Sequence, residues 1–351
     1  MTAPFDIAGR QIGIGHPPYV IAEMSANHNG DIRRAYDLLE AAKKAGADAV
    51  KLQTYTADTM TIDHAGREFT IEGGLWDGRQ LYDLYTEAST PWEWHRQLFE
   101  RGRALGLHVF STPFDSTAVD FLEELQAPAY KIASFELLDL PLIQRVAATG
   151  KPIIMSTGMA DRAEIAEAVA AARTAGATSL ALLHCVSGYP APVEEANLRT
   201  IADMTAAFGC TVGLSDHTLG SDVAIAAVAV GASMIEKHVT LARADGGPDS
   251  AFSLEPDELA RLCGGVATAW RSLGYVTYER QPSEVQNLQF RRSIYVVEDI
   301  RAGETLSERN VRAIRPGFGL PPKHMPDLLG RVAEVDIKRG TAMRFEFLKP
   351  R

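Results

Sequence analysis

Eight times in its first 240 residues the chain repeats one pattern: a short β-branched, apolar run ending in polar residues, then an amphipathic stretch. The runs lie at 19–23 (YVIAE), 49–53 (AVKLQ), 108–112 (HVFST), 130–134 (YKIAS), 152–156 (PIIMS), 179–184 (SLALLH), 211–215 (TVGLS) and 233–238 (SMIEKH). Helical candidates such as 32–45 and 163–175 lie between them, stopped by Gly46 and Gly176. Thr90, Pro91 and Glu93 stand in the order of N-cap, first-turn proline and capping-box acid, so another helix is expected to open there. Strands alternating with helices require a parallel sheet, and eight such units suffice to close a (β/α)8 barrel. The rival is an open doubly wound sheet, but no GxGxxG opens any of these helices. The expected fold class is α/β, a TIM barrel.

Two features break the regularity. Residues 55–90 form a long insertion after the second strand, rich in aromatic and polar residues (GLWDGRQLYDLYTEAST). Loops on that face of a barrel carry function, so the insertion is expected to cover or shape the mouth, the alternative being a plain surface excursion. The second break is the polar stretch 279–289, which reads as a linker. A barrel domain over 1–278 would then be followed by a small β-rich module over 290–351, too short to be comfortable alone. Charge divides along the same line. The module holds 13 Lys+Arg against 8 Asp+Glu, leaving 22 against 37 for the rest of the chain. An acidic body and a basic tail would attract each other within a chain or across a dimer, with room for an anionic substrate at the junction; uneven scatter of solvated charge is the bland alternative.

Composition narrows the classes further. At 351 residues, 46% apolar and 23% charged, the chain reads as a globular enzyme, and its net charge of −10 argues against a nucleic-acid binder. No apolar run approaches the ~18 residues of a membrane span, and the opening MTAPFDIAGRQIGIG has no basic leader before an apolar stretch. Cys185, Cys210 and Cys263 are widely spaced in apolar context, without a CxxC pair, and read as reduced thiols of a cytoplasmic protein.

Active-site groups of such a barrel come from the C-terminal ends of its strands. Those ends read Glu23, Lys51 and Gln53, Thr112, Ser134 and Glu136, Ser156 and Thr157, His184, Ser215 and His217, and Glu236 and His238. Any one has a bland reading, His184 as a hydrogen-bonded core histidine for example, but their convergence on one rim points to chemistry. His217 and His238, at the ends of neighbouring strands, can share one divalent ion, with Glu236 and Asp249 as outer carboxylates. Two imidazoles with oxygen or water neighbours suit Mn²⁺, Co²⁺ or Mg²⁺ better than a closed structural zinc site. Lys51, Thr112, Ser134 and Ser215 offer a cation and three hydroxyls as an anion cradle. Alternatively, Lys51 pairs with Glu23 as a rim salt bridge.

These residues lie in motifs that resemble the sialic acid synthase (NeuB-like) family. IAEMSANHNGDIRRAYDLLEAAKKAGADAVKLQTY is similar to the family's opening, and STPFD, YKIAS, MSTGMA, LHCVSGYP, GLSDHT, IEKHVT and GPDSAFSL follow in order. RRSIYVVEDI and IRPGFGL resemble the antifreeze-like (SAF) domain that closes these enzymes. Within the family, GLWDGRQLYDLYTEASTPWEWH and IRPGFGLPPKH look most like pseudaminic acid synthases, with N-acetylneuraminic and legionaminic acid synthases as the alternatives.

The resemblance implies a metal-dependent transferase that condenses phosphoenolpyruvate with an N-acetylated amino sugar. It implies His217 and His238 as ligands of a divalent metal, manganese foremost. Lys51, Thr112, Ser134, Tyr189 and Ser215 would contact phosphoenolpyruvate, and Ser187 stands where many members carry Asn. Glu23, Gln53, Glu136 and Asp249 would face the open-chain sugar, with Glu23 or Glu236 as base. Arg315, in the RPG motif, would reach into the partner's barrel in a homodimer whose SAF domains are swapped.

Three rivals remain. Another phosphoenolpyruvate-condensing barrel would lack the RPG-bearing tail. A retro-aldol lyase would need a Schiff-base lysine, for which Lys131 and Lys237 are the positional candidates. A carbohydrate-binding protein with a decayed barrel would not keep the histidine pair, Lys51 and the hydroxyls together.

Overall fold

A computed structural model describes residues 3–350. The chain divides into two compact units, residues 1–274 and 275–351. The first opens with an antiparallel hairpin, β1 (Phe5–Ile7) and β2 (Arg10–Ile12). Eight strands follow: β3 (Tyr19–Glu23), β4 (Ala49–Thr54), β5 (His108–Pro113), β6 (Tyr130–Ile132), β7 (Ile153–Ser156), β8 (Leu180–Cys185), β9 (Thr211–Asp216) and β10 (Met234–His238). They close a parallel barrel in chain order, with β10 returning to β3 in the register Met234↔Tyr19 to His238↔Glu23. The helices α1 (Ile32–Ala45), α2 (Ala57–Met60), α3 (Leu81–Ala88), α4 (Trp92–Leu105), α5 (Ser116–Glu124), α6 (Leu140–Ala147), α7 (Arg162–Thr174), α8 (Thr200–Phe208), α9 (Asp222–Ala229) and α10 (Pro256–Leu273) lie between and after the strands. The TIM barrel is therefore as expected.

Strand alternation builds the interior. Successive side chains of a strand point to opposite faces, so every second residue enters the barrel. Tyr19, Ile21, Ala49, Phe110, Ile154, Leu183 and Met234 make an apolar plug there, closed by Phe5, Ile7 and Ile12 of the hairpin. The alternate residues Val20, Val50 and Val109 join Leu38, Leu39, Leu98 and Phe99 in a second layer between strands and helices. Gly213 shows how tight the wall is: a Cβ there would collide with the carbonyl oxygen of Met234 on the neighbouring strand.

Local signals mark the helix ends. Asp31 caps α1 by accepting from the Arg33 amide at 2.8 Å, and Gly46 ends it in the left-handed conformation at φ 95°. Two expectations need correction. Thr90 is not the N-cap of α4; Pro91 holds that position without a side-chain bond, and the Thr90 hydroxyl instead meets His28 Nε2 at 3.2 Å. The fourth barrel strand stops at Ile132, so Ser134 and Glu136 stand on the 3-10 turn Ser134–Glu136.

In the second unit, much of the stretch read as a linker is a 3-10 helix, Pro282–Phe290, with a capping box from Gln281 and Glu284. Strands β11 (Ser293–Val296) and β12 (Val311–Ile314) pair antiparallel. Isolated bridges such as Ile300↔Ile337 and Ala333↔Leu348 extend the β structure. Ile294, Val296, Leu306, Val311, Leu328 and Met343 belong to this unit's own buried cluster. No helix among the described residues is long and apolar enough to cross a membrane.

Candidate active site

The two-residue alternation that makes the apolar plug also delivers the polar site above it. Continuing upward from Ile21, Ala49, Ile154, Leu183 and Met234 gives Glu23, Lys51, Ser156, Cys185 and Glu236. A cavity of about 380 Å³ opens there. Of the sequence candidates, Lys51, Gln53, Ser134, Glu136, Tyr189, Ser215, His217, Glu236, His238 and Asp249 line it. Glu23 lies just behind the lining, fully buried, and Thr112 is buried on β5 in register with Gln53. Arg315 follows β12 in the second unit and is exposed.

Lys51 is the hub. Its Nζ lies 3.0 Å from Glu23 Oε2 and 3.2 Å from Glu236 Oε1, which also accepts from Ser215 Oγ at 3.0 Å. The rim pair with Glu23 therefore exists alongside the proposed cradle. Burial works against charge on Lys51, yet the carboxylates outweigh it and hold the ammonium above its ordinary value. The two acids part company. Burial pushes Glu23 up to about 7 although Lys51 opposes it, whereas the lysines overcome burial at Glu236 and hold it below the ordinary carboxylate value. Gln53 Nε2 donates to Glu23 Oε1 at 3.1 Å and to Ser25 Oγ at 2.9 Å, and Ser25 donates on to Asp249. Burial pushes Asp249 up, and pushes Glu136 up to about 7.

Lys131 and Ser156 were not assigned to the anion cradle from sequence, although alternation from Ala129 and Ile154 would have placed both. Lys131 Nζ donates to Ser156 Oγ at 2.6 Å and lies 3.9 Å from Glu236; burial lowers its ammonium to about 8. Lys237, the other Schiff-base candidate, has its Nζ bonded to Asp216 Oδ2 at 2.7 Å and does not line the cavity. Ser25, Cys185, Tyr55, Trp76 and Tyr85 were also missed. The last three come from the insertion at 55–90, which shapes the mouth as expected.

His217 and His238 face each other with ring centroids 5.4 Å apart, and Tyr189 packs on His217 at 4.4 Å. His217 Nδ1 bonds the Val186 carbonyl at 2.9 Å, so that nitrogen carries the hydrogen and Nε2 keeps its lone pair. Burial, then neighbouring His217, pushes His238 well below its ordinary value, and its Nδ1 is buried without a partner. Burial lowers His217, but its contact with Cys185 outweighs that and raises the imidazole above its ordinary value; a divalent cation would bind the two imidazoles in their neutral forms. Among the described residues no third His, Cys, Asp or Glu joins them to make a closed cluster, so water or substrate would complete the shell.

Thr112 Oγ1, Glu136 Oε2, Ser187 Oγ and Glu236 Oε2 are likewise buried without hydrogen-bond partners. Buried polar atoms are almost always paired. Glu136, Glu236 and His238 among them line the cavity, and their free atoms suit a highly polar ligand.

Comparison with known proteins finds relatives over most of the chain. Residues 38–278 match the NeuB family and residues 291–349 the SAF domain. The chain is 44% identical to a pseudaminic acid synthase of Helicobacter pylori over 93% of its length and 96% of that protein. It is 43% identical to a pseudaminic acid synthase of Campylobacter jejuni, covering 93% and 95%. The crystal structure of an N-acetylneuraminic acid synthetase from Leptospira borgpetersenii, in complex with citrate, superposes with a TM-score of 0.74 at 31% identity. That match covers 83% of this chain and 96% of the other.

Proposed function

The chain belongs to the NeuB family, and we propose on that premise that it condenses phosphoenolpyruvate with 2,4-diacetamido-2,4,6-trideoxy-β-L-altropyranose and water, giving pseudaminic acid and phosphate. It is a C–C bond-forming transferase. The observation that carries this reading is a single cavity in which Lys51, Lys131 and a set of hydroxyls stand together with the His217–His238 pair. The lysines and the hydroxyls of Thr112, Ser134, Ser156 and Ser215 suit the carboxylate and phosphate of phosphoenolpyruvate. Tyr189 stands with this set, while Gln53, Ser25, Glu136 and Asp249 supply polar partners for the sugar's hydroxyl and amide groups, which cost about 1–3 kcal/mol each if buried unpaired.

The enol carbon attacks the aldehyde carbon, and positive charge builds on the carbon bearing phosphate. Water adds there, the C–O bond to phosphate breaks, and a 2-keto acid remains. Glu236, held ionised by two lysines, is the fixed anion that opposes the developing positive charge. Glu23, poised near neutrality, is the group suited to take the water's proton; environments that separate two carboxylates assign them separate roles. His217 and His238 would hold a divalent cation, Mn²⁺ foremost with Co²⁺ or Mg²⁺ as alternatives, which when bound supplies Lewis-acid stabilisation of negative charge on the aldehyde oxygen.

A homodimer in which Arg315 of the basic tail serves the partner's acidic barrel belongs to the same reading, supported by the charge division of the sequence. Arg315→Ala should then impair sugar use far more than dimerisation.

The deciding test is phosphate release with phosphoenolpyruvate and Mn²⁺, offered the altrose sugar, N-acetylmannosamine or the legionaminic precursor, with EDTA controls and mass detection of the product. Turnover confined to the altrose sugar is expected. Turnover with another sugar instead overturns the choice of acceptor, and silence with all three overturns the reaction.

A further inference from the structure

The cavity is polar where the barrel strands form it and apolar where the insertion does. Met60, Ile71, Leu81, Leu84 and Ala88 line it from α2, α3 and the loop between them, beside the rings of Tyr55, Trp76 and Tyr85. No charged group of the insertion lines it. The bland explanation of such residues is core packing, yet none of the five aliphatic ones belongs to any of the three hydrophobic clusters found among the described residues. Met60, Ile71 and Leu81 remain only half-buried. Their apolar surface is presented to the cavity.

This wall is tied to the catalytic floor. Trp76 Nε1 donates to the Pro248 carbonyl at 3.0 Å, next to Asp249, and its ring lies 5.7 Å from that of Tyr189. The indole N–H is thereby spent. Tyr55 meets Phe114 edge-on at 5.0 Å and Tyr85 at 5.8 Å, which fixes the aromatic part of the wall against a strand end. The aliphatic part offers a sugar no hydrogen-bonding group.

Resting on the acceptor assigned above, we propose that the Met60–Ile71 side of this wall selects sugars whose terminal carbon is a methyl group and rejects those that end in hydroxymethyl. A methyl gains by leaving water for such a surface. A hydroxyl in the same place gives up its water without a partner. A hydrophobic pocket discriminates against one added hydroxyl by roughly a hundredfold at most, which bounds the effect at about ten- to a hundredfold in kcat/KM.

The test pairs sugars that differ only at C6: the 2,4-diacetamido-2,4,6-trideoxy sugar against its 6-hydroxy counterpart, and 6-deoxy-N-acetylmannosamine against N-acetylmannosamine. The full-length protein should prefer the methyl member of whichever pair it uses by about ten- to a hundredfold. Met60→Gln keeps side-chain length while adding a hydrogen-bonding group, and Ile71→Thr keeps the β-branch, adds a hydroxyl and shortens the side chain by one carbon, for which Ile71→Val is the size control. Met60→Gln and Ile71→Thr should each shrink that ratio by roughly tenfold through the sugar KM, with the KM for phosphoenolpyruvate and the melting temperature unchanged. A ratio near one in the unaltered protein, or variants that slow both members equally, would overturn the proposal. Use of only the second pair, with the methyl preference intact, would overturn the acceptor assignment and leave the wall's role standing. Silence with every sugar overturns both.

Discussion

Glu23 and Glu236 face each other across one ammonium group, Lys51 Nζ, at 3.0 Å and 3.2 Å. Lys131, 3.9 Å from Glu236, tips the balance between them. With two cations near it, Glu236 stays ionised, and the charge it keeps adds to the burial that drives Glu23 toward protonation.

Glu23→Gln and Glu236→Gln should therefore fail differently. Losing a positioned base costs about 10²–10⁴ in rate. Glu23→Gln is expected to lower kcat by that order and to erase an inflection near pH 7 in the kcat/KM profile, below which the unaltered enzyme loses activity as Glu23 takes up a proton. Glu236→Gln should lower kcat and keep an inflection, moved to lower pH, because the titrating acid remains but loses the neighbouring charge that helps raise it. It should not raise the KM for phosphoenolpyruvate, since it frees both lysines from a competing anion. An unchanged profile in Glu23→Gln would assign the proton transfer elsewhere.

Lys51→Met leaves two buried carboxylates facing each other without their shared cation. Breaking a buried pair from one side costs about 3–5 kcal/mol, whereas removing both partners is far less harmful. Urea denaturation at pH 8 should show Lys51→Met strongly destabilised and Lys51→Met/Glu23→Gln partly recovered. Equal losses in the two would mean that the carboxylates do not depend on Lys51.

Glu136 gives a stability signature set by pH. Burial, opposed by Lys131, raises it to about 7 from an ordinary 4.5, so the folded state holds its proton more tightly than the unfolded chain does. Its stabilising contribution is complete below about 4.5 and is lost as pH rises to about 7. Glu136→Gln does not titrate. Its melting temperature should climb relative to the unaltered protein between pH 5 and pH 7 and keep a constant offset above that. A constant offset across the whole range would show that Glu136 does not titrate with the fold.

Much of this architecture is legible in the residues themselves, because each barrel strand is short, β-branched and finished by polar groups. Tyr19–Glu23 (YVIAE) shows in five letters both the apolar plug and the acid above it. What escapes is decided by tertiary partners. Thr90 has every local mark of an N-cap, but buried His28 claims its hydroxyl. Lys131 and Ser156 are visible by alternation only once the inward face of each strand is fixed by the plug. Met60 and Ile71 carry no signal at all: an apolar residue in an irregular insertion reads as core until the absence of a core around it is seen.

Gly158 supplies the sharpest probe of the anion cradle. A Cβ built there would run into Ser187 Oγ and come within 2.8 Å of Ser134 Oγ, while the Gly158 amide donates to that same Ser134 hydroxyl at 3.1 Å. Gly158→Ala must push Ser187 aside and turn Ser134 away from the cavity it lines. Displacing a binding group by about 1 Å is enough to cost up to roughly a hundredfold. The expected result is a KM for phosphoenolpyruvate raised at least about tenfold, with the sugar KM held. The double variant Gly158→Ala/Ser187→Ala removes the closer obstacle and should recover part of the loss. If Ser187 also contacts the phosphate, Ser187→Ala alone raises the same KM, and the recovery stops at that level. Unchanged phosphoenolpyruvate kinetics in Gly158→Ala would place the anion away from Ser134 and Ser187, and would leave Lys51 and Lys131 as its anchors.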